Sequence, residues 1–451
     1  MSYQELSAGD LSRRAVERRA IEAVIWGMPA VNYQLMYSEM VRKVDGGFNQ
    51  VLYWSRLLDW KNQTLTPNPD VIYLMPFFNT MDVGPVVLDV PPADDGLFNG
   101  SVMNYWQSAI EDVGPGGVDK GQGGKYVILP PGYDTTSLPG GYIAMPSDTY
   151  QSYALLRSVL KSGSDADVSA AVTYAKRVKV YPLAAADDPP PTTFVDASDF
   201  VFDSTISYDL RFFESLNEMV QAEPWLERDK AMIDPLKTIG IERGKPFSPE
   251  AATRQILNDA ILEAKALFEA RYGVLPPYYE GGHWFFPATE EMHQNILSSW
   301  HTPDSYPVDD RGLTYTFAFF SAKHLGQAQY YLMAIHDREG QPLDGNASYS
   351  VRVPANVPVT QYWSVTVYDR DTHAFIRNAR WVGRSSQTPG LQLNADGSTD
   401  ILFGPTAPTS GDSNWIPTNP DGRFEVLARF YGPQRPLFDK AWRLADIEKL
   451  S

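Results

Sequence analysis

Two prolines stiffen the stretch Thr64–Tyr73, TLTPNPDVIY, around three polar side chains. Each proline fixes its own φ and pushes the preceding residue towards extended conformations, so Thr66 and Asn68 lose most of their freedom. Their side chains, with Asp70 behind them, are aimed before any partner arrives. Asn68 and Asp70 have the oxygen chemistry to hold a water, a divalent cation or a substrate hydroxyl, with Tyr73 walling the same pocket. The same residues also suit an Asx turn, in which a side-chain oxygen satisfies a local backbone amide.

A second polar cluster lies in NYWQSAIEDVGPGGVDKGQGGKY, residues 104–126. Trp106 and Gln107 close a strand, Glu111 and Asp112 follow, and a glycine-rich loop over 114–124 carries Asp119 and Lys120. The loop lacks the G-x-x-x-x-G-K-[ST] order and a convincing following helix, which excludes a nucleotide P-loop. It reads as a long hairpin or as a polar lip over a pocket. Further on, Trp363–Asp369 alternates, with Trp363, Val365 and Val367 on one face and Ser364, Thr366 and Tyr368 on the other. Arg380 has the planar fork that clamps a carboxylate or phosphate, or that ties two strands through an Asp.

Other chemistries are excluded. The chain has no cysteine, so disulfides, thiolate nucleophiles and Cys-type zinc sites are absent. None of the six histidines has HExxH spacing and no G-x-S-x-G elbow occurs. His283 and His293 lie near Glu280, Glu290 and Glu291, which allows a metal reading beside that of a loop and a helix surface. NADGSTD at 394–400 lacks the closing Glu of a calcium loop and reads as a turn. A net charge of -17 repels nucleic acid, and no basic run offsets it. The start lacks a signal-peptide pattern and no apolar run reaches membrane-spanning length. A soluble chain is expected, cytoplasmic, or exported if a leader has been trimmed.

The elements that must position these residues are mixed. Residues 9–44 read as two helices broken at Gly27-Met-Pro29, with Asp10 as the first cap. Short strands separated by Gly, Pro, Asp and Asn fill 71–146. Helices return after Arg157: one behind Ser164, one over 205–222, and one over 249–272 with Ser248 as cap and Leu257, Ile261, Ala264 and Phe268 on its apolar face. A helix in LTYTFAFFSAKHLG then leads into strands near 329–336, 347–354, 360–368, 400–404 and 424–431. With 25 Tyr, 21 Phe, 35 Pro and 33 Gly, the expected class is α+β, mainly β. Two β-sandwich, jelly-roll-like lobes at 49–200 and 301–451 follow N-terminal helices (1–48) and are joined by a helical segment (201–300).

TPNPDVIY, GPVVLDVP and DVGPGGVDKGQGGKYVILPPGY together resemble the core of the family of domain of unknown function 1254. DREGQPLDGNASYSVRVP, QYWSVTVYD, NADGSTDILF and NWIPTNPDGRFEVLARFYGP resemble its usual partner, domain of unknown function 1214. The resemblance spans roughly residues 50–435 and implies two β-sandwich lobes joined by helices, in a family whose members are often exported. Where that family keeps a compact GR-type ending after its arginine helix, this chain reads YALLRSVLKSG.

The expected function is hydrolysis of a small polar or anionic substrate, such as an ester or phosphate ester, in a pocket between the lobes. Asp70 and Asp112 divide base and acid work, Arg157 or Arg380 neutralises developing charge, and Trp106 and Trp363 supply apolar walls. No cofactor is specified, although a weakly bound divalent cation at Asp70 or Asp112 fits. The partner is a small molecule rather than nucleic acid or membrane, and assembly into a homo-oligomer stays open. The rival is a carbohydrate-binding or shell-forming protein.

Overall fold

Residues Ala8–Val44 form one helix, where the Gly27-Met-Pro29 step predicts two. Its cap is Ser7, whose hydroxyl accepts from the Asp10 amide while the Asp10 carboxylate accepts from the Ser7 amide, so Asp10 closes a capping box from inside the helix. Pro29 denies the Ile25 carbonyl its helical donor. The helix continues because its middle is enclosed: Gly312 packs so closely on Ile25 that a Cβ there would meet the carbonyl oxygen at 2.6 Å, and Arg311 Nη2 donates to the Trp26 carbonyl at 3.0 Å. Tertiary packing overrides the local break.

The computed structural model describes residues 7–318, 321–324, 329–409 and 411–450. In the first lobe a six-stranded sheet runs in the order Phe194–Asp196, Gln50–Tyr53, Val71–Asn79, Gln151–Val159, Phe98–Asn104, Ala109–Val113. A four-stranded sheet, Lys179–Pro182, Val86–Val90, Gly124–Leu129, Ile143–Pro146, shares a core with it through Ile72, Leu74, Val86, Leu88 and Ile128. Arg157 therefore sits on a central strand and not on a helix. The second lobe pairs Gln329–Ala334, Phe424–Tyr431, Trp363–Asp369 and Gly383–Ser385 with a sheet of Trp415–Pro417, Thr399–Gly404, Tyr349–Val353 and Glu448–Lys449. Val351, Val365, Ile401, Phe403 and Val426 lie in the core these two sheets share.

The outward faces of the two larger sheets are not solvated. Met75 and Phe77 from the first lobe, Tyr368 and Leu427 from the second, and Trp26, Phe212, Ile261 and Tyr315 from the helices belong to one continuous apolar cluster. Burying one such side chain contributes roughly 1.5–3 kcal/mol, so the shared cluster holds the lobes in fixed relation. Among the described residues helix and strand take 28% and 25%, which fits the mixed class but not a mainly β chain. The helix predicted from Pro249 begins at Ala251 behind Glu250, and its expected apolar face is buried. The helix in LTYTFAFFSAKHLG occupies Val308–Phe317. Residues 319–320 and 325–328 of that stretch lie outside the described residues.

Candidate functional site

Strand alternation sends every second side chain of the two central strands towards the other lobe. In the first lobe Tyr73 and Arg157 are cross-strand partners, with the guanidinium 5.5 Å from the ring centre. In the second lobe Tyr331 and Arg429 are cross-strand partners at the same 5.5 Å. Each lobe thus contributes one arginine–tyrosine pair to the wall of one cavity, of about 120 Å³. The helix Glu290–Leu297 adds His293 and Ile296 to that wall, and Phe286, Phe317 and Leu427 make much of the rest apolar.

The TLTPNPDVIY turn is clamped between the lobes. Asn68 is buried: its Oδ1 accepts from the Asp70 amide at 3.0 Å, the Asx turn foreseen from sequence. Its Nδ2 donates to the Tyr362 and Tyr431 hydroxyls at 3.0 and 2.6 Å, and its amide donates to Tyr73 Oη at 3.1 Å. Thr66 takes φ of 38°, not the extended conformation expected before Pro67 and costly for a β-branched residue, and it is held there by its amide and hydroxyl, which donate to the carbonyls of His373 and Phe317. The prolines therefore stiffen a segment that reaches from one lobe to the other and lines the cavity with Thr66 and Asn68.

Arg429 is 2% exposed. Its Nη1 donates to Thr366 Oγ1 at 3.0 Å, and its Nη2 to the Thr66 and Pro67 carbonyls at 2.8 and 3.3 Å and to Tyr368 Oη. All these partners are neutral, and among the described residues no carboxylate lies within ion-pair reach of Arg429. Arg157 is also buried and its Nε donates to Tyr73 Oη at 3.4 Å. At Arg429 a desolvated positive charge therefore faces an apolar cavity with only neutral hydrogen-bond partners among the described residues.

Asp70 stands behind this wall and does not line the cavity. The residue is half-buried, yet its Oδ2 is shielded from solvent and has no hydrogen-bond partner. Burial pushes its carboxyl up to about 6, against the lowering influence of Arg429 and of the nearby Ser385 and Ser364 hydroxyls. Asp70 is thus a titratable charge that acts on Arg429 through space.

The other sequence candidates lie elsewhere. Asp112 is buried, with Oδ1 accepting from Ser101 Oγ at 2.5 Å and the Lys323 amide at 3.0 Å, and Oδ2 from the His324 amide at 2.8 Å. It holds the amides of Lys323 and His324 and, like Asp70, does not line the cavity. Trp106 packs on Trp26 at 5.0 Å under the Arg311 guanidinium, and Trp363 is buried in the core of the second lobe. Arg380 is exposed and pairs with Asp412 at 2.9 Å, the strand-tying alternative. His283 lies apart from His293, its amide donating to Asp446. No cluster of three or more metal-ligating side chains occurs among the described residues.

Arg429, Tyr331, Tyr362 and Tyr431 escape the sequence reading. A signal exists: in FEVLARFY, Glu425 and Arg429 interrupt a strand that is otherwise buried and apolar, and a buried charge is the informative exception.

Two family models match the chain: Protein of unknown function (DUF1254) over residues 48–182 and Protein of unknown function (DUF1214) over 328–435. No curated protein matches it. Among solved structures, the VPA0106 protein from Vibrio parahaemolyticus aligns with a TM-score of 0.57 at 17% identity, covering 97% of this chain and 100% of that one. A putative uncharacterized protein from Burkholderia cenocepacia aligns at 12% identity with a TM-score of 0.42, covering 98% of this chain and 95% of that one. The Vibrio likeness extends the fold over both lobes and the helices between them. The cavity draws Asn68, Tyr73 and Arg157 from the first matched region and Tyr331 and Arg429 from the second, in a chain that belongs to the two-module family with DUF1254 followed by DUF1214.

Proposed function

We propose that the protein takes a small anionic molecule into the cavity between its lobes, with Arg429 and Arg157 meeting the negative charge. The observation that carries this is the Arg429 guanidinium, buried among neutral oxygens at the edge of an apolar cavity. We read the facing sheets of each lobe as a β-sandwich of jelly-roll type, the frame that holds each arginine on a central strand. A concave site whose polar groups converge from distant segments supports a small-molecule ligand over an open sugar-binding surface, since Trp106 and Trp363 are buried. Melting wild type and Arg429→Met with a panel of small carboxylates, phosphate and sulfate tests the reading. At least one anion at saturation should raise the wild-type Tm by a few degrees and leave Arg429→Met unmoved. An equal rise in both, or none in wild type, refutes it.

Hydrolysis is a second reading, favoured by His293, whose Nε2 is shielded from solvent, has no partner and belongs to a residue of the cavity wall. In it His293 takes a proton from a water whose oxygen attacks the ester carbon or phosphorus, Arg429 stabilises the developing oxyanion, and the ester bond breaks as His293 returns the proton to the leaving alcohol. Asp70 then tunes Arg429, and Asp112 has no part. Turnover of 4-nitrophenyl esters and phosphates that is lost in His293→Phe supports it, and turnover that survives in that variant removes His293 from the chemistry.

A further inference from the structure

Two polar atoms of the cavity lining make no hydrogen bond. His293 Nε2 and Gln329 Oε1 are both shielded from solvent and make no hydrogen bond, and both residues line the cavity. Buried polar atoms left in this state cost free energy that a matching ligand group recovers. His293 sits three residues before Ile296 on one helix face, so it belongs to the apolar wall rather than to either arginine strand. Gln329 lies two residues before Tyr331 and shares its face of the strand. Gln329 Oε1 can only accept, whereas an imidazole nitrogen can donate or accept. A hydroxyl serves both, because it donates one hydrogen bond and accepts others.

Size and polarity narrow the ligand further. A cavity of about 120 Å³ is comparable to one that admits benzene, so the body holds about six to ten non-hydrogen atoms. Phe286, Ile296, Phe317 and Leu427 surround that body with hydrocarbon, which disfavours a compact, fully hydrated ion such as phosphate. Two arginines from opposite lobes suit the planar fork of a carboxylate. Building on the anion-site reading above, we propose that the ligand is a hydroxylated apolar monocarboxylate of about the size of a hydroxybenzoate. Its carboxylate meets Arg429 and Arg157, and its hydroxyl meets His293 Nε2 or Gln329 Oε1.

Calorimetric titration of the full chain with benzoate, 3- and 4-hydroxybenzoate, phenol and inorganic phosphate tests this, using wild type, Arg429→Met and the double variant His293→Leu/Gln329→Leu. One hydroxybenzoate should bind about tenfold tighter than both benzoate and phenol. The double variant should erase the advantage over benzoate, and Arg429→Met the advantage over phenol. Phosphate binding that depends on Arg429 while the benzoates fail overturns the ligand class and leaves the anion site standing. Benzoate binding with no gain from either hydroxyl overturns the role given to His293 and Gln329. Binding equal in wild type and Arg429→Met overturns the site itself.

Discussion

Two arginines of the second lobe are nearly equally buried, Arg429 at 2% and Arg370 at 4% exposure, yet they are answered differently. Arg370 Nη2 donates to Glu269 Oε2 at 2.7 Å, its Nη1 lies 3.4 Å from Glu425 Oε2, and Glu425 also contacts His373 Nδ1 at 2.9 Å. That cluster answers the arginine with two carboxylates and ties the long helix Ala251–Tyr272 to the sheet. Arg429 donates only to hydroxyls and carbonyls, stands over the Tyr331 and Tyr368 rings, and feels the Asp70 carboxyl through space without pairing to it. A buried charge paired with carboxylates is accounted for by the fold, whereas Arg429 reaches a cavity wall with neutral hydrogen-bond partners, and it is there that the proposed ligand would act.

The largest effect that separates the two is on stability. Arg370→Met leaves Glu425, which is 0% exposed, without its arginine partner, and should lower unfolding free energy by about 3–5 kcal/mol. Arg429→Met loses hydrogen bonds but also relieves a desolvated charge, so its loss in urea denaturation should be about 1–2 kcal/mol. Equal losses in the two variants would break the comparison.

Anion binding should respond to pH next. Asp70, held at about 6, opposes the field of Arg429 only when ionised. As pH falls from 7.5 to 5.5 the carboxylate takes up a proton, and affinity for a fully ionised anion should rise several-fold. Asp70→Asn should show the tight, pH-independent binding throughout. An affinity that falls on acidification, in wild type alone, contradicts the coupling.

The same residue carries a smaller effect on folding. Its folded value lies above the ordinary 3.8, so the unfolded chain ionises first as pH rises. The stability Asp70 contributes is complete below about 3.8 and is lost as pH rises through about 6. Asp70→Asn should therefore gain on the order of 1 kcal/mol at pH 8, allowing for partial exposure, and almost nothing at pH 4. A gain confined to pH 4 would reverse the sign. The smallest effect is that of chelator: without a cluster of ligands among the described residues, EDTA should leave Tm unchanged, and a fall of more than a few degrees would count against that.

Much of the frame was legible in the sequence because strands announce themselves locally. VIYLMPF is an unbroken apolar run and WSVTVYD alternates, each bounded by turn residues, and both are strands at the predicted places. The Pro29 break was misread because local propensity says nothing of Gly312 and Arg311 packing from nearly 300 residues away. The site was half legible for the same reason. Asn68 and Tyr73 share one short segment with two prolines, but Arg429 gains meaning only when Thr66 and Pro67 are folded onto it. Asp112 looked like chemistry because it is acidic and beside a glycine loop, and its oxygens are instead committed to Ser101 and two backbone amides.

Anomalous diffraction from crystals soaked in iodide asks whether Arg429 offers its positive charge to the apolar cavity. An anomalous peak is expected inside the cavity at contact distance from the Arg429 or Arg157 guanidinium, and absent from Arg429→Met crystals soaked alike. Iodide peaks confined to the outer surface, with the cavity empty in wild type, would contradict it.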